Sequence, residues 1–186
     1  MNKLIIIGLI FLVSCNSTSQ TNQKVDKKVN KNYRILVDKF LINKNISQLA
    51  KELYLGKVKP TDNEENLALI DSINSSGNAR GFYFLVITRT MEHADGSYAE
   101  PLGIAAKEFV ENNTIEFLSY FIDNKDLLTS KDFANWSRSV YGEIQIDSEG
   151  SEQKAITDLK TKMITNCQGL SIDYKDNIMK FIGLMK

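Results

Sequence analysis

Across the larger, C-terminal part of the chain, apolar residues recur at intervals of three and four positions. Tyr33, Leu36, Val37, Phe40 and Leu41 open this pattern at i, i+3, i+4, i+7 and i+8. That spacing places them on one face of a helix. Similar stripes follow to the end of the chain, separated by polar clusters or by Gly and Pro. The pattern predicts about nine short helices and no strand.

The most apolar stretch is residues 82–87, whose aromatic and β-branched content is also typical of a strand. The helical stripe, however, continues through Met91 to Ala94, well beyond the length of an ordinary strand. We therefore predict a buried central helix here.

Capping residues locate several helix ends. Thr61 and Glu64 have the spacing of a capping box, and Thr129 can cap a later helix. Pro101 is expected in a first turn, where a missing N–H costs least. Helix starts recur about every 17 residues in the middle of the chain, which suits antiparallel helical hairpins. We expect an all-α domain, either an α-solenoid-like array or an irregular helical bundle.

The N-terminal residues have a different pattern of charged and apolar positions. Lys3 precedes an unbroken apolar run over residues 4–13, about half the length that a bilayer-spanning helix needs but typical of a signal peptide. The run ends in Leu12-Val13-Ser14-Cys15, which resembles the lipobox of bacterial lipoproteins. The resemblance implies that Cys15 receives a diacylglycerol and that the type II signal peptidase cuts between Ser14 and Cys15.

Such a lipid would hold the mature protein on a membrane without spanning it. Residues 16–31 are mostly polar and are expected to form a flexible linker. Asn16, where an aspartate would favour the inner membrane, favours the outer membrane in a Gram-negative cell. The predicted organisation is a signal peptide over 1–14, the lipidated cysteine and linker over 15–31, and a helical domain over 32–186.

Charge and cysteine content narrow the function classes. The chain has 23 basic and 23 acidic residues, so nothing favours nucleic-acid binding. Once Cys15 is lipidated, Cys167 is the one remaining cysteine, and an intrachain disulfide is excluded. We expect Cys167 to behave as a small buried apolar residue on a helical face.

Motifs for catalysis and cofactor binding are missing. His93 is the only histidine, which excludes a zinc site built from several histidines. The sequence contains no G-x-S-x-G elbow and no phosphate-binding glycine loop. We therefore assign no catalytic, cofactor or metal residue. Paired carboxylates are harder to dismiss, and Glu92, Glu100, Glu108 and Glu111 lie near the predicted central helices.

Most aromatic residues lie on the apolar stripes and are expected in the core. Tyr98 and Tyr120 fit the stripes least well. We therefore expect these two side chains on an exposed contact surface.

We expect a lipid-anchored protein-interaction module of the bacterial envelope, held on the membrane through Cys15 and bound to an unknown envelope protein, rather than an enzyme. The layout resembles uncharacterised small lipoproteins of Bacteroidota-like bacteria, some of which act as immunity proteins against secreted toxins. Two alternatives stay open. One is an envelope hydrolase or glycan-binding protein that uses carboxylates, which two acids facing each other across a cleft would favour. The other is a structural envelope lipoprotein without a specific ligand.

Overall fold

The computed structural model describes residues 32–75 and 77–185, which form an all-α domain. The helices of these stretches are α1 Val37–Leu41, α2 Gln48–Tyr54, α3 Glu64–Asp71, α4 Arg80–Thr90, α5 Gly96–Asn112, α6 Thr114–Asp123, α7 Ser130–Asp147, α8 Glu152–Asn166 and α9 Ile172–Gly183. A short 3₁₀ helix, Met91–His93, follows α4. The predicted all-α class is confirmed. In neither described stretch is a helix both long and apolar enough to cross a bilayer, and the predicted signal peptide and linker lie outside the described residues.

Helix α4 is the centre of the domain and is buried on nearly every side. Phe82 and Val86 pack in a small cluster with α2, whereas Phe84 and Ile87 belong to the main core. A helix that is apolar all round is typical of a protein interior. The helical interpretation of residues 82–87 is therefore confirmed.

Aromatic rings fill the main core. The rings of Phe84 on α4 and Trp136 on α7 stack with centroids 4.7 Å apart, and Phe117 on α6 contacts Phe181 on α9 edge to face. Trp136 is fully buried, and its Nε1 donates a hydrogen bond of 2.8 Å to Thr88 Oγ1. Such ring pairs each contribute about 0.5–1.5 kcal/mol beyond the burial of their surface. These contacts join four helices in one core.

Packing between distant helices decides how the helices are arranged. Helix α5 contacts α3, α6, α7 and α8, while α4 contacts α7 and α6 contacts α9. In a solenoid, each repeat contacts only its neighbours along the chain. The domain is therefore an irregular helical bundle and not a solenoid-like array.

The helix ends agree only partly with the sequence prediction. Thr129 and Asp132 form a reciprocal capping box at the start of α7, as the sequence predicts for Thr129. The predicted capping box of Thr61 and Glu64 is wrong, because Asn63 caps α3. Helix α5 begins at Gly96, so Pro101 lies inside the helix and not in its first turn.

The start of the described chain is fixed to the end of α6. The Ile35 N–H donates a 2.7 Å hydrogen bond to Asn124 Oδ1, and Asn124 Nδ2 donates to the Tyr33 carbonyl. The Arg34 guanidinium contacts both carboxylate oxygens of Asp126, at 2.6 and 2.7 Å. The N-terminal segment therefore joins the domain at a defined place.

Candidate functional site

A groove of about 680 Å³ runs between α5 and α7. On α7 its lining extends from Lys131 to Ile146, a length of about 22 Å at 1.5 Å per residue. Its volume lies in the range of about 300–1,000 Å³ that is typical of ligand sites. We call this feature the α5–α7 groove and treat it as the candidate functional site.

Small residues form much of the groove wall. They are Gly96, Ala99 and Gly103 on α5 and Ala134, Ser139 and Gly142 on α7. Gly103 marks the closest approach of the two helices, since a Cβ atom there would lie 3.3 Å from Glu143 Oε2 and 3.4 Å from the Ser139 carbonyl oxygen. The absence of a side chain at Gly103 therefore lets α7 and its carboxyl group pack directly on α5.

A buried carboxyl group lies at the floor of the groove. Glu143 on α7 is only 6% exposed, and its Oε2 has no hydrogen-bond partner among the described residues. Burial raises the pKa of Glu143, and the negative charges of Asp147 and Glu100 raise it further. Burial has this effect because a neutral carboxyl group costs less to bury than a carboxylate.

Asp147, the acidic residue one turn beyond Glu143 on α7, is paired with Lys107 on α5. Lys107 Nζ donates a 2.5 Å hydrogen bond to Asp147 Oδ2, and this bond lowers the pKa of Asp147. The negative charge of Asp147 in turn contributes to the raised pKa of Glu143.

The remaining charged residues of the groove lie nearer to solvent. Lys131 Nζ donates a 2.6 Å hydrogen bond to Glu92 Oε1, which lowers the pKa of Glu92. Glu100 on α5 and Arg138 on α7 are exposed and line the same groove. The groove therefore presents a carboxylate and a guanidinium group at its rim, together with the buried carboxyl group of Glu143.

This arrangement allows two kinds of chemistry. The small residues and mixed charges can bind a polypeptide segment through hydrogen bonds and close backbone contact. A carboxyl group with a raised pKa beside an ordinary carboxylate is also the pattern used for acid–base cleavage of glycosidic bonds. Among residues 32–75 and 77–185, no group of three or more metal-ligating side chains occurs.

The prediction that Tyr98 and Tyr120 form an exposed contact surface is wrong. Tyr98 is 3% and Tyr120 is 4% exposed. The Tyr98 hydroxyl donates to Thr90 Oγ1, and the Tyr120 hydroxyl donates to Glu116 Oε1. Burial, together with the Glu116 hydrogen bond, raises the pKa of Tyr120. Both rings belong to the main core, and both hydroxyl groups have a hydrogen-bond partner within the domain.

Other predicted residues are placed away from the groove or outside the described ranges. Ser14 and Cys15, the predicted cleavage and lipidation site, lie outside the described residues. Cys167 is buried, as expected, and burial raises the pKa of its thiol to about 11. His93 is exposed at the end of the 3₁₀ helix.

The candidate carboxylates separate into two groups. Glu92 and Glu100 line the α5–α7 groove. Glu111 instead pairs with Lys162 at 2.9 Å, and Glu108 is exposed at a site where Asn74 Nδ2 approaches it at 3.5 Å. The structure therefore brings together only part of the set that the sequence suggests.

Glu143, the most deeply buried acid of the groove, is absent from the carboxylates that the sequence suggests. Its position nevertheless carries a signal, because Trp136, Val140 and Glu143 follow one another at intervals of four and three residues. An acidic residue within an apolar stripe is expected to be buried with the stripe. The helical period alone is therefore enough to mark Glu143 as unusual.

The chain was compared with protein-family models, with curated proteins and with solved structures, and none of these comparisons finds a match. Function is therefore inferred from the residues of the groove.

Proposed function

We propose that this protein is a lipid-anchored lipoprotein of the bacterial envelope that binds a segment of a partner protein in the α5–α7 groove. Lipid on Cys15 holds it at the membrane, and the helical bundle presents the groove to the partner. The groove supports this proposal because its floor holds Glu143 Oε2, a buried oxygen without a hydrogen-bond partner among the described residues.

An unpartnered buried oxygen is costly to keep. Leaving such a group unsatisfied destabilises a fold by about 1–3 kcal/mol, and natural proteins keep few of them. Places where a sequence departs from good packing rules tend to be functional. Because Oε2 is buried, a ligand in the groove would give it a hydrogen bond once the Glu143 side chain turns toward the groove.

The shape of the groove suits a polypeptide. Its length of about 22 Å accommodates about six residues of extended chain at 3.3 Å each. The small residues on both walls permit close approach of a backbone, and Ile146, which is 65% exposed, offers apolar contact at one end. Arg138 is exposed at the rim, and Arg is enriched at protein interfaces. At the predicted envelope location, binding of a partner segment would serve an immunity-like or inhibitory role.

The test is to fill the groove and compare the result with a matched variant elsewhere. Gly142 lines the groove, and Gly183 lies at the end of α9. Apart from the neighbouring residues and the backbone of the same helix, a Cβ atom at either glycine would meet no atom within 4 Å, so both positions have open space at the start of a side chain. We expect Gly142→Trp to abolish affinity capture of a stoichiometric envelope protein from the native host, and Gly183→Trp to leave capture unchanged.

Two results would contradict the proposal. Equal capture by both variants would exclude the groove as the binding site, and absence of any stoichiometric partner would favour a structural envelope lipoprotein. The anchor is tested separately by mass spectrometry of the protein from its native host. An unmodified Cys15, or a leader still attached, would overturn the lipid anchor while leaving the groove experiment interpretable.

A second candidate function is hydrolysis of a glycan by carboxylates. It is favoured by the pairing of Glu143, whose pKa is raised, with Glu100 in the same groove. In this reaction Glu143 would protonate the leaving oxygen, and Glu100 would act as base or nucleophile.

The purified full chain should then release reducing ends from peptidoglycan. Glu143→Gln and Glu100→Gln should abolish the release, whereas Glu108→Gln on the same helix as Glu100 should not. No release by the wild-type protein would exclude this activity toward peptidoglycan.

A further inference from the structure

A second surface, formed around α1 and α2, exposes large apolar side chains. Ile42, the residue that ends α1, is 81% exposed. Leu36 and Leu55 are each 49% exposed, and Val58 is 37% exposed. We call these residues and the lysines between them the α1–α2 surface.

The end of α1, next to Ile42, lies close to the second half of α2, next to Leu55. Lys51 Nζ donates a 2.8 Å hydrogen bond to the carbonyl of Asn43, so the second half of α2 passes the end of α1. Leu55 follows Lys51 by one helical turn and therefore shares its face. The opposite face of α2, with Leu53, packs in the core. The exposed side chains are thus not required for the bundle.

The α1–α2 surface is also basic. Residues 37–60 contain the acids Asp38 and Glu52 and five lysines, which are Lys39, Lys44, Lys51, Lys57 and Lys59. Lys51 is partly buried, and the other four lysines are exposed. Within the described ranges, these four form no ion pair. Because the whole chain has equal numbers of basic and acidic residues, this excess of positive charge is local.

Two acidic residues of this region, Asp62 and Glu52, have hydrogen-bond partners other than the exposed lysines. Asp62 accepts a hydrogen bond from Ser97 Oγ at the start of α5. Glu52 accepts one from Gln48 within α2. Neither carboxylate pairs with the exposed lysines, whose charges remain available to an external anionic partner.

The surface also lies close to the place where the N-terminal segment joins the domain. That segment is held on α6 through Ile35 and Asn124, and α1 begins two residues later at Val37. Cys15 precedes Asn32 by 17 residues, a distance of at most about 60 Å along the chain. A lipid at Cys15 would therefore attach the domain to the bilayer through this end and hold it within that distance.

We propose that the α1–α2 surface docks on the anionic bilayer to which the protein is anchored. Ile42 and Leu55 enter the head-group region, and the exposed lysines face anionic head groups. Exposed apolar side chains flanked by lysines are the combination that binds such an interface. This inference rests on the proposed lipid anchor at Cys15, and it fixes which end of the domain meets the membrane.

The test uses tryptophan as a depth probe in the full, lipidated chain. Trp136 is the only tryptophan and is fully buried, so it supplies a constant background. Ile42→Trp places a probe on the α1–α2 surface, and Ile172→Trp is the matched control at an exposed isoleucine, 64% accessible, at the start of α9. Both variants are reconstituted in phosphatidylethanolamine–phosphatidylglycerol vesicles that contain lipids brominated on the acyl chain.

We expect the brominated lipids to quench the added fluorescence of Ile42→Trp at least twofold more than that of Ile172→Trp. Combining Ile42→Trp with Lys57→Glu and Lys59→Glu should abolish the difference. Combining it with Lys154→Glu and Lys175→Glu, which change the same charge on α8 and α9, should retain it.

The outcomes separate the two proposals. Vesicles that float without the protein would overturn the anchor and the docking together. Flotation with equal quenching of the two tryptophans would overturn the docking alone. A fluorescence blue shift of Ile42→Trp that depends on protein concentration and not on lipid would show that a second copy covers this surface, and would overturn the docking as well.

Discussion

Replacing Glu143 with methionine should stabilise the protein at neutral pH. The side chain is 6% exposed, and its Oε2 has no hydrogen-bond partner within the described part of the chain. Methionine has nearly the same length and adapts to irregular space, while it removes the buried polar atoms. The methionine side chain must also fit beside Gly103, because a Cβ atom at Gly103 would lie 3.3 Å from Glu143 Oε2. Asp147 keeps its hydrogen bond with Lys107 in this variant.

The expected gain in the free energy of unfolding is about 1–3 kcal/mol, the usual cost of an unsatisfied buried polar group. For a chain of this size, each kcal/mol corresponds to a rise in Tm of about 2–4 °C. The gain should depend on pH in a defined direction. Because folding raises the pKa of Glu143, the folded protein holds this proton more tightly than the unfolded chain does. The wild-type protein therefore loses stability as the pH rises from the ordinary carboxyl pKa through the folded pKa.

The assay is urea unfolding of the full chain, followed by the fluorescence of Trp136, at several pH values from mildly acidic to mildly basic. The stabilisation by Glu143→Met should be largest at the highest pH and should shrink on acidification. Glu100→Met is the matched control, since Glu100 is exposed on the facing helix, and it should change stability by no more than about 0.5 kcal/mol. A Glu143→Met variant less stable than wild type at neutral pH would refute the reasoning, because the carboxyl group would then have partners that favour the fold.

Three further predictions concern the bundle around the groove. Thr129→Ala, which removes half of the capping box with Asp132, should lower the free energy of unfolding by about 0.5–2 kcal/mol in the same assay. Burial raises the pKa of Cys167 to about 11. A thiol reagent at mildly basic pH should therefore modify Cys167 only as the protein unfolds, and rapid labelling of the native protein would contradict this. Gly103→Ala should lower the free energy of unfolding by about 1–3 kcal/mol, because the new methyl group crowds Glu143. The double variant with Glu143→Ala should lose less stability than the sum of the losses in the two single variants.

The helices could be predicted because their burial follows their sequence period. The stripe of Phe133, Trp136, Val140 and Ile144 is buried on α7 as its spacing indicates. The choice between solenoid and bundle could not be predicted, because it depends on contacts such as that of α6 with α9. Residues far apart along the chain make these contacts, and a local period contains no information about them.

Tyr98 and Tyr120 show a second limit of predicting burial from the sequence period. A tyrosine with a polar hydroxyl fits an exposed position as well as a core position, and only a partner for the hydroxyl distinguishes the two. Thr90 provides that partner for Tyr98, and Glu116 provides it for Tyr120. Glu116 is itself held by Arg80 at 3.0 Å. Glu116 lies one turn before Tyr120 on the same helix, but Arg80 lies on α4, so the sequence spacing could not show that Arg80 holds Glu116 inside the domain.

Glu143 and Ile42 depart from good packing rules in opposite ways. Glu143 is a charged type placed in the core without a full set of partners among the described residues, whereas Ile42 is a large apolar side chain left 81% exposed. Both departures lower stability or solubility in an isolated protein, and neither is needed to build the bundle. In our two proposals each is covered by another molecule: a polar segment in the α5–α7 groove and a lipid surface beneath α1 and α2. The proposed function therefore assigns a partner to each, and the two surfaces can be tested independently because Glu143 and Ile42 belong to different pairs of helices.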